Sequence, residues 1–116
     1  MQKIYHLSNC STCQRIIKEL NLPKSFQFQD IKTEKISAMQ IDEMATMSGS
    51  YEKLFSRVAL KYKAMGLKDK TLTEKDYRRL ILEEYTFLKR PVIIIGKKIF
   101  IGNSSKNIEA AKQELR

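Results

Sequence analysis

The sequence predicts one α/β domain, and three observations carry that prediction. Residues up to about 30 read as strand, helix, strand; the stretch from about 36 to 87 keeps a helical period; and residues 92–101 spell a β-hairpin that runs into a last helix. A chain of 116 residues is long enough to bury a sizeable core and too short for two ordinary domains.

Lys3 to Leu7 is a compact apolar strand. From Ser11 the period becomes helical, with Ile16, Ile17 and Leu20 facing inward until Asn21-Leu22-Pro23 ends the run. The alternation of Phe26, Phe28 and Asp30 makes a second strand, and a strand-helix-strand start favours a parallel pair with a right-handed crossover. In the middle, Ser37 with Gln40 reads as a capping box and Ile36 with Ile41 as its hydrophobic staple, for a helix running to about Ser48. A second helix is expected from near Ser50, carrying Leu54, Phe55 and Val58 and giving way around Met65-Gly66-Leu67. Thr73 with Asp76 marks another start, and Tyr77, Leu80, Ile81, Tyr85 and Leu88 form an apolar stripe that reads as core. After Arg90-Pro91, the run Val92 to Ile95, the turn Gly96-Lys97 and the partner Lys98 to Ile101 make the hairpin. Gly102-Asn103 breaks it, and a final helix from about Ser104 buries Ile108, Ala111 and Leu115.

Composition excludes several classes of protein. At 42% hydrophobic and 30% charged residues the chain reads as soluble, and no run approaches the ~18 apolar residues of a membrane span. The start, Met1 to His6, has no signal-peptide core, so the expected address is the cytoplasm. The net charge of +9 favours anionic partners, but the basic residues are scattered and no DNA-reading motif is visible, so direct nucleic-acid binding is not expected.

The motif that carries chemistry is Cys10-Ser11-Thr12-Cys13, at the handover from the first strand to the first helix. A helix N-terminus presents orphan N–H groups and the positive end of the helix dipole, both of which stabilise a thiolate. A second thiol three residues on lies one turn away, with α-carbons about 5 to 6 Å apart, within the range a disulfide tolerates. In the cytosol structural disulfides are rare, so the pair reads as catalytic, redox-sensing or metal-binding, with two small buried apolar residues as the bland alternative. Two Cys and one His fall short of the four ligands of a structural zinc site, so no metal site is expected.

The element order, with Cys-x-x-Cys at the first strand-to-helix junction and a proline at the start of the third strand, is the outline of a thioredoxin-like fold with a helical insertion between strands 2 and 3. The core would be residues 1–35 and 88–116 and the insertion about 36–87 of a single domain 1–116. Ile4-Tyr5-His6 leading to Cys10, Leu54-Phe55-Ser56-Arg57 followed by Tyr62 and Gly66-Leu67, and above all Leu88-Lys89-Arg90-Pro91-Val92-Ile93-Ile94 carry a closer likeness. On these the sequence resembles the arsenate reductase family of the glutaredoxin-like kind, which also contains the Spx-type transcriptional regulators.

The resemblance implies that Cys10 is the nucleophilic thiol and that His6 matches a histidine tuning it. Arg90 matches the arginine that helps hold the substrate oxyanion, and Pro91 the family's cis-proline. Arg57 is the nearest candidate for a second oxyanion-binding arginine, with a surface residue or helix-pair partner as its alternative. Ser11 and Thr12, between the cysteines, are further candidates for substrate binding. Fork-shaped, permanently charged arginine is the physical match for a tetrahedral oxyanion approached by a thiolate.

On this reading the chain is a thiol oxidoreductase. Cys10 attacks an oxyanion or disulfide, Cys13 resolves the adduct as a Cys10–Cys13 disulfide, and thioredoxin, glutaredoxin or glutathione, rather than a bound cofactor, supplies the electrons. Two departures point toward the Spx branch: Cys13 itself, and Gly102 where glutathione-coupled arsenate reductases carry a third arginine. That branch implies a redox-switch regulator bound to the RNA polymerase alpha subunit. His6 and the Tyr62 to Leu67 stretch look more like the reductase branch.

Overall fold

The computed structural model describes all residues, Met1–Arg116. In chain order the elements are β1 (Gln2–His6), α1 (Ser11–Leu20), β2 (Gln27–Asp30), α2 (Ala38–Ser48), α3 (Leu60–Ala64), α4 (Glu74–Glu83), β3 (Val92–Ile95), β4 (Lys98–Ile101) and α5 (Ser105–Leu115). They divide into two compact units, one of Met1–Lys35 with Arg90–Arg116 and the other of Ile36–Lys89.

The first unit is a four-stranded sheet in the order β2-β1-β3-β4. β1 runs parallel to β2, as a strand-helix-strand start requires, and antiparallel to β3, which closes the hairpin with β4. Register sets the core: Ile4 lies opposite both Phe28 and Ile93, and Ile93 opposite Phe100. Because side chains alternate along a strand, Ile4, Ile93 and Ile95 share one face with Phe26. There they pack with Ile16 and Leu20 of α1 and Ile108 and Ala111 of α5. Leu115, expected in the core, is only partly buried at the margin of this cluster.

Two details differ from the sequence reading. β1 ends at His6, so Leu7 leaves the ladder and its carbonyl accepts the N–H of Cys10 at 3.0 Å. In α1 the buried positions are Cys13, Ile16 and Leu20, with Ile17 only partly buried. β2 is an edge strand, which leaves Phe28 half exposed while Gln29, on the other face, is buried.

The second unit opens on a helix whose start was legible residue by residue. The N–H of Gln40 donates to Ser37 Oγ and the N–H of Ser37 to Gln40 Oε1, both at 3.1 Å, and Ile36 and Ile41 are buried as a staple requires. The N-terminus of α4 is built the same way by Thr73 and Asp76. The helix expected from Ser50 does not form. Glu52–Leu54 is a single 3₁₀ turn, Phe55 is extended and pairs with Leu88 as an isolated antiparallel bridge, and only Leu60–Ala64 is helical. The reason lies in the backbone hydrogen bonds. The N–H of Ser56 donates to Phe87 at 2.7 Å and that of Lys89 to Leu54 at 2.8 Å, groups that a continuous helix would keep for itself.

Leu54 and Phe55 are still buried, but Val58 is 91% exposed. Likewise α4 stops at Glu83, so Tyr85 falls in a 3₁₀ turn and Leu88 beyond it. Phe87, off the predicted stripe, is the residue that stacks on Phe55, 5.0 Å between ring centres, with Tyr77 tilted against the same ring at 5.0 Å. Truncating Phe55 to Ala is expected to destabilise the protein by about 3 to 5 kcal/mol. Val58→Ala should change stability by no more than ~0.5 kcal/mol, and urea unfolding of both variants checks the contrast.

Candidate active site

Three consecutive constraints place the Cys10 sulfur. β1 is held between β2 and β3, so the chain emerges at a fixed point at His6. The Leu7 carbonyl then takes the Cys10 N–H, and the Cys10 carbonyl takes the Gln14 N–H at 3.1 Å, the first bond of α1. Cys10 is therefore the N-cap, extended at φ −98° and ψ 114°, where serine or aspartate would ordinarily sit. The loop is tied from two further sides: Gln14 Nε2 donates to the Ser8 carbonyl at 3.0 Å, and the Ser8 hydroxyl donates to the Asp30 carboxylate on β2.

The two thiols, both free, sit in different surroundings. Cys10 is partly exposed. Its burial works against ionisation, but the backbone N–H and thiol of Cys13, the backbone N–H of Thr12 and the charge of Arg90 outweigh that and hold its pKa below the ordinary thiol value. No first-turn N–H makes a fully formed capping bond to the Cys10 side chain; those of Thr12 and Cys13 lie near enough to favour the thiolate over the thiol. Cys13 is buried, and burial is the main cause that pushes its pKa up to about 11, with the Cys10 thiol adding to the rise and the Leu7 backbone N–H opposing it. One helical turn thus carries a thiol biased toward thiolate and a thiol biased toward its proton.

Arg90 and Pro91 lie immediately ahead of β3. Arg90 is close enough for its charge to favour ionisation of both thiols, and the Arg90–Pro91 peptide bond is cis. The Pro91 carbonyl accepts the N–H of Gly102 at 2.9 Å, and the Gly102 carbonyl accepts Asn107 Nδ2 at 2.8 Å, so the residue after β4 is fixed by its own backbone. Gly102 has φ +95°, in the left-handed region. Ser11 is exposed and Thr12 partly so on the first turn of α1.

His6 lies at the end of β1, opposite Asp30 in the parallel register. It is buried, its ring meets Phe28 edge-on with 5.8 Å between ring centres, and its Nδ1 has no hydrogen-bond partner. Burial lowers its pKa and Asp30 only partly opposes this, so at neutral pH the imidazole is uncharged. Arg57 belongs to the second unit. Its Nη2 bonds Glu52 at 2.7 Å and the Tyr77 hydroxyl at 2.9 Å, and its guanidinium lies over the Tyr77 ring at 5.6 Å.

Sequence reasoning passed over Ser8, Gln14 and Asp30, which fix the loop before Cys10. A Ser-Asn pair just ahead of a cysteine was the only local signal. No group of three or more His, Cys, Asp or Glu is placed to hold a metal ion, and no helix is long and apolar enough to cross a membrane.

A thioredoxin-like α/β unit with a Cys-x-x-Cys at its first strand-to-helix junction defines a thiol-bearing protein of that fold class. The chain belongs to the ArsC family, whose model matches residues 5–111. Among solved structures, the YffB protein superposes with a TM-score of 0.81 at 18% identity, covering 100% of both chains. The arsenate reductase from Vibrio cholerae gives 0.77 at 17% identity, over 99% of this chain and 98% of that one. A protein described as a possible arsenate reductase from Streptococcus mutans is 28% identical, with a TM-score of 0.69 over 94% of this chain and 98% of that one. No curated protein matches the sequence.

Because the folded pKa of Cys13 lies above its ordinary value of 9.0, the native state holds that proton more tightly than the unfolded chain does. The stability this contributes is complete below pH 9 and is lost as pH rises through about 11. The reduced protein is therefore expected to lose more stability between about pH 8 and 11 than Cys13→Ala does, as measured by denaturant titration at each pH.

Proposed function

We propose that the protein is a thiol oxidoreductase in which Cys10 attacks an oxyanion of the arsenate kind or a disulfide, and Cys13 resolves the adduct. The observation that carries this reading is the inequality of the two thiols: partly exposed and biased to thiolate at position 10, buried and biased to its proton at position 13. Membership of the ArsC family supports the substrate class.

With arsenate, the Cys10 thiolate forms an S–As bond and one arsenate oxygen leaves as water once protonated. The Arg90 guanidinium offsets the repulsion between thiolate and oxyanion. Forming that bond removes the negative charge and hydrogen bond at Cys10, two of the causes that raise the pKa of Cys13. Cys13 then ionises more readily and attacks the Cys10 sulfur. The S–S bond forms, the S–As bond breaks with its electron pair staying on arsenic, and arsenic(V) leaves as arsenic(III). With a disulfide substrate the same two attacks release two thiols in turn. Either way the Cys10–Cys13 disulfide is returned to two thiols by a two-electron thiol reductant, thioredoxin or glutaredoxin, or by two molecules of glutathione.

Arsenate-dependent oxidation of a thioredoxin or glutaredoxin relay tests the scheme. Cys10→Ser is expected to abolish turnover, Cys13→Ser to stop the relay while leaving Cys10 reactive, and Arg90→Ala to lower kcat/KM by about 10- to 100-fold, the worth of one charged hydrogen bond. Turnover that survives Cys10→Ser overturns the mechanism. Capture of the RNA polymerase alpha C-terminal domain in a redox-dependent way, with no turnover on any of these substrates, would assign the chain to the regulator branch instead.

A further inference from the structure

We propose that Asp30 is a positioning residue for Cys10: through Ser8 it holds the Leu7–Asn9 loop so that the Cys10 sulfur stays over the first N–H groups of α1. The inference rests on Cys10 being the reactive thiol.

The geometry behind it is a closed set of bonds. Asp30 ends β2, directly beside His6, the last residue of β1. One oxygen of its carboxylate accepts the Ser8 hydroxyl, and the other accepts the Lys32 N–H at 3.1 Å, so the carboxylate is itself fixed to the turn that follows β2. Ser8 is exposed, yet its carbonyl is also taken, by Gln14 Nε2 at 3.0 Å from the second turn of α1. On either side of Ser8, the Leu7 carbonyl holds the Cys10 N–H at 3.0 Å. A loop of three residues with neither glycine nor proline is thereby fastened to β2 and to α1 at once. Cutting the attachment to β2 leaves Leu7–Asn9 free to swing the N-cap residue away from the N–H groups of Thr12 and Cys13, which act on it only at short range. The Ser8 bond is also the first cause that keeps the Asp30 carboxyl below its ordinary pKa, so the acceptor is ionised at neutral pH.

Charge and position have opposite consequences, which makes the proposal testable. A carboxylate acting only through space raises the pKa of a nearby thiol, so deleting it would lower that pKa. A positioning carboxylate does the reverse. The experiment is iodoacetamide alkylation of Cys10 in the reduced full-length protein across pH, read by mass spectrometry at that residue, with thermal melting to follow the fold. Asp30→Ala and Ser8→Ala are each expected to raise the Cys10 pKa by about half a unit or more, which slows alkylation about threefold at a pH below both values. Combining them should add little, since both cut one path. Asp30→Asn, which loses the charge but keeps an acceptor, should stay near the wild type.

A pKa unchanged or lowered in folded Ser8→Ala overturns the proposal, and Ser8, being exposed, keeps the test valid even if Asp30→Ala does not fold. An ordinary thiol pKa at Cys10 in the wild type would instead overturn the reading of Cys10 as the reactive thiol, and this inference with it.

Discussion

The N-terminal N–H groups of a helix must find acceptors, and in α1 the group offered to them is the Cys10 side chain, because the chain turns from β1 into α1 within four residues. The site follows from that one junction. β1 is pinned on both sides by its neighbours in the sheet, and α1 is pinned by Ile16 and Leu20 in the core, so neither can slide to relieve the other. A slip of α1 by one residue would put Ser11 at the cap and turn Cys13 off the buried face. The bias of Cys10 toward the thiolate thus depends on apolar packing beneath the junction.

The same junction makes the two thiols interdependent. A hydrogen bond between them favours charge on Cys10 and disfavours it on Cys13, so a single proton is placed by a difference in burial and not by a dedicated base. This fits the neutral state of His6. A buried, uncharged imidazole without a partner on Nδ1 adds shape and packing to the end of β1, and the positive charge at the thiols comes from Arg90 and the helix end.

What could be read from the sequence was what local residues determine. Both capping boxes, the hairpin turn at Gly96-Lys97 and the place of Cys10 and Cys13 at a helix start depend on residues within a few positions of one another. The region from Ser50 to Val58 could not be read this way. Its apolar spacing fits a helix, but its backbone groups are taken by Phe87 and Lys89, more than 30 residues on. The same partners explain why Phe87, off the expected stripe, joins Tyr77 in the cluster around Phe55. At the candidate site Cys10, Cys13 and Arg90 were visible as types, whereas the bond between Ser8 and Asp30 spans 22 residues and depends on a parallel register that no local pattern reveals. Arg57 was visible as a candidate, but its engagement by Glu52 and Tyr77 was not.

Gly102 bears on how this protein could change over generations. An added Cβ there would meet no atom within 4 Å, so room is not what disfavours a larger residue. The obstacle is the main chain: φ is +95°, and both peptide groups are committed, one to Pro91 and one to Asn107. A side chain at such an angle costs about 1 to 3 kcal/mol. A larger side chain at this position, an arginine included, would bear that cost unless the turn were remade with it.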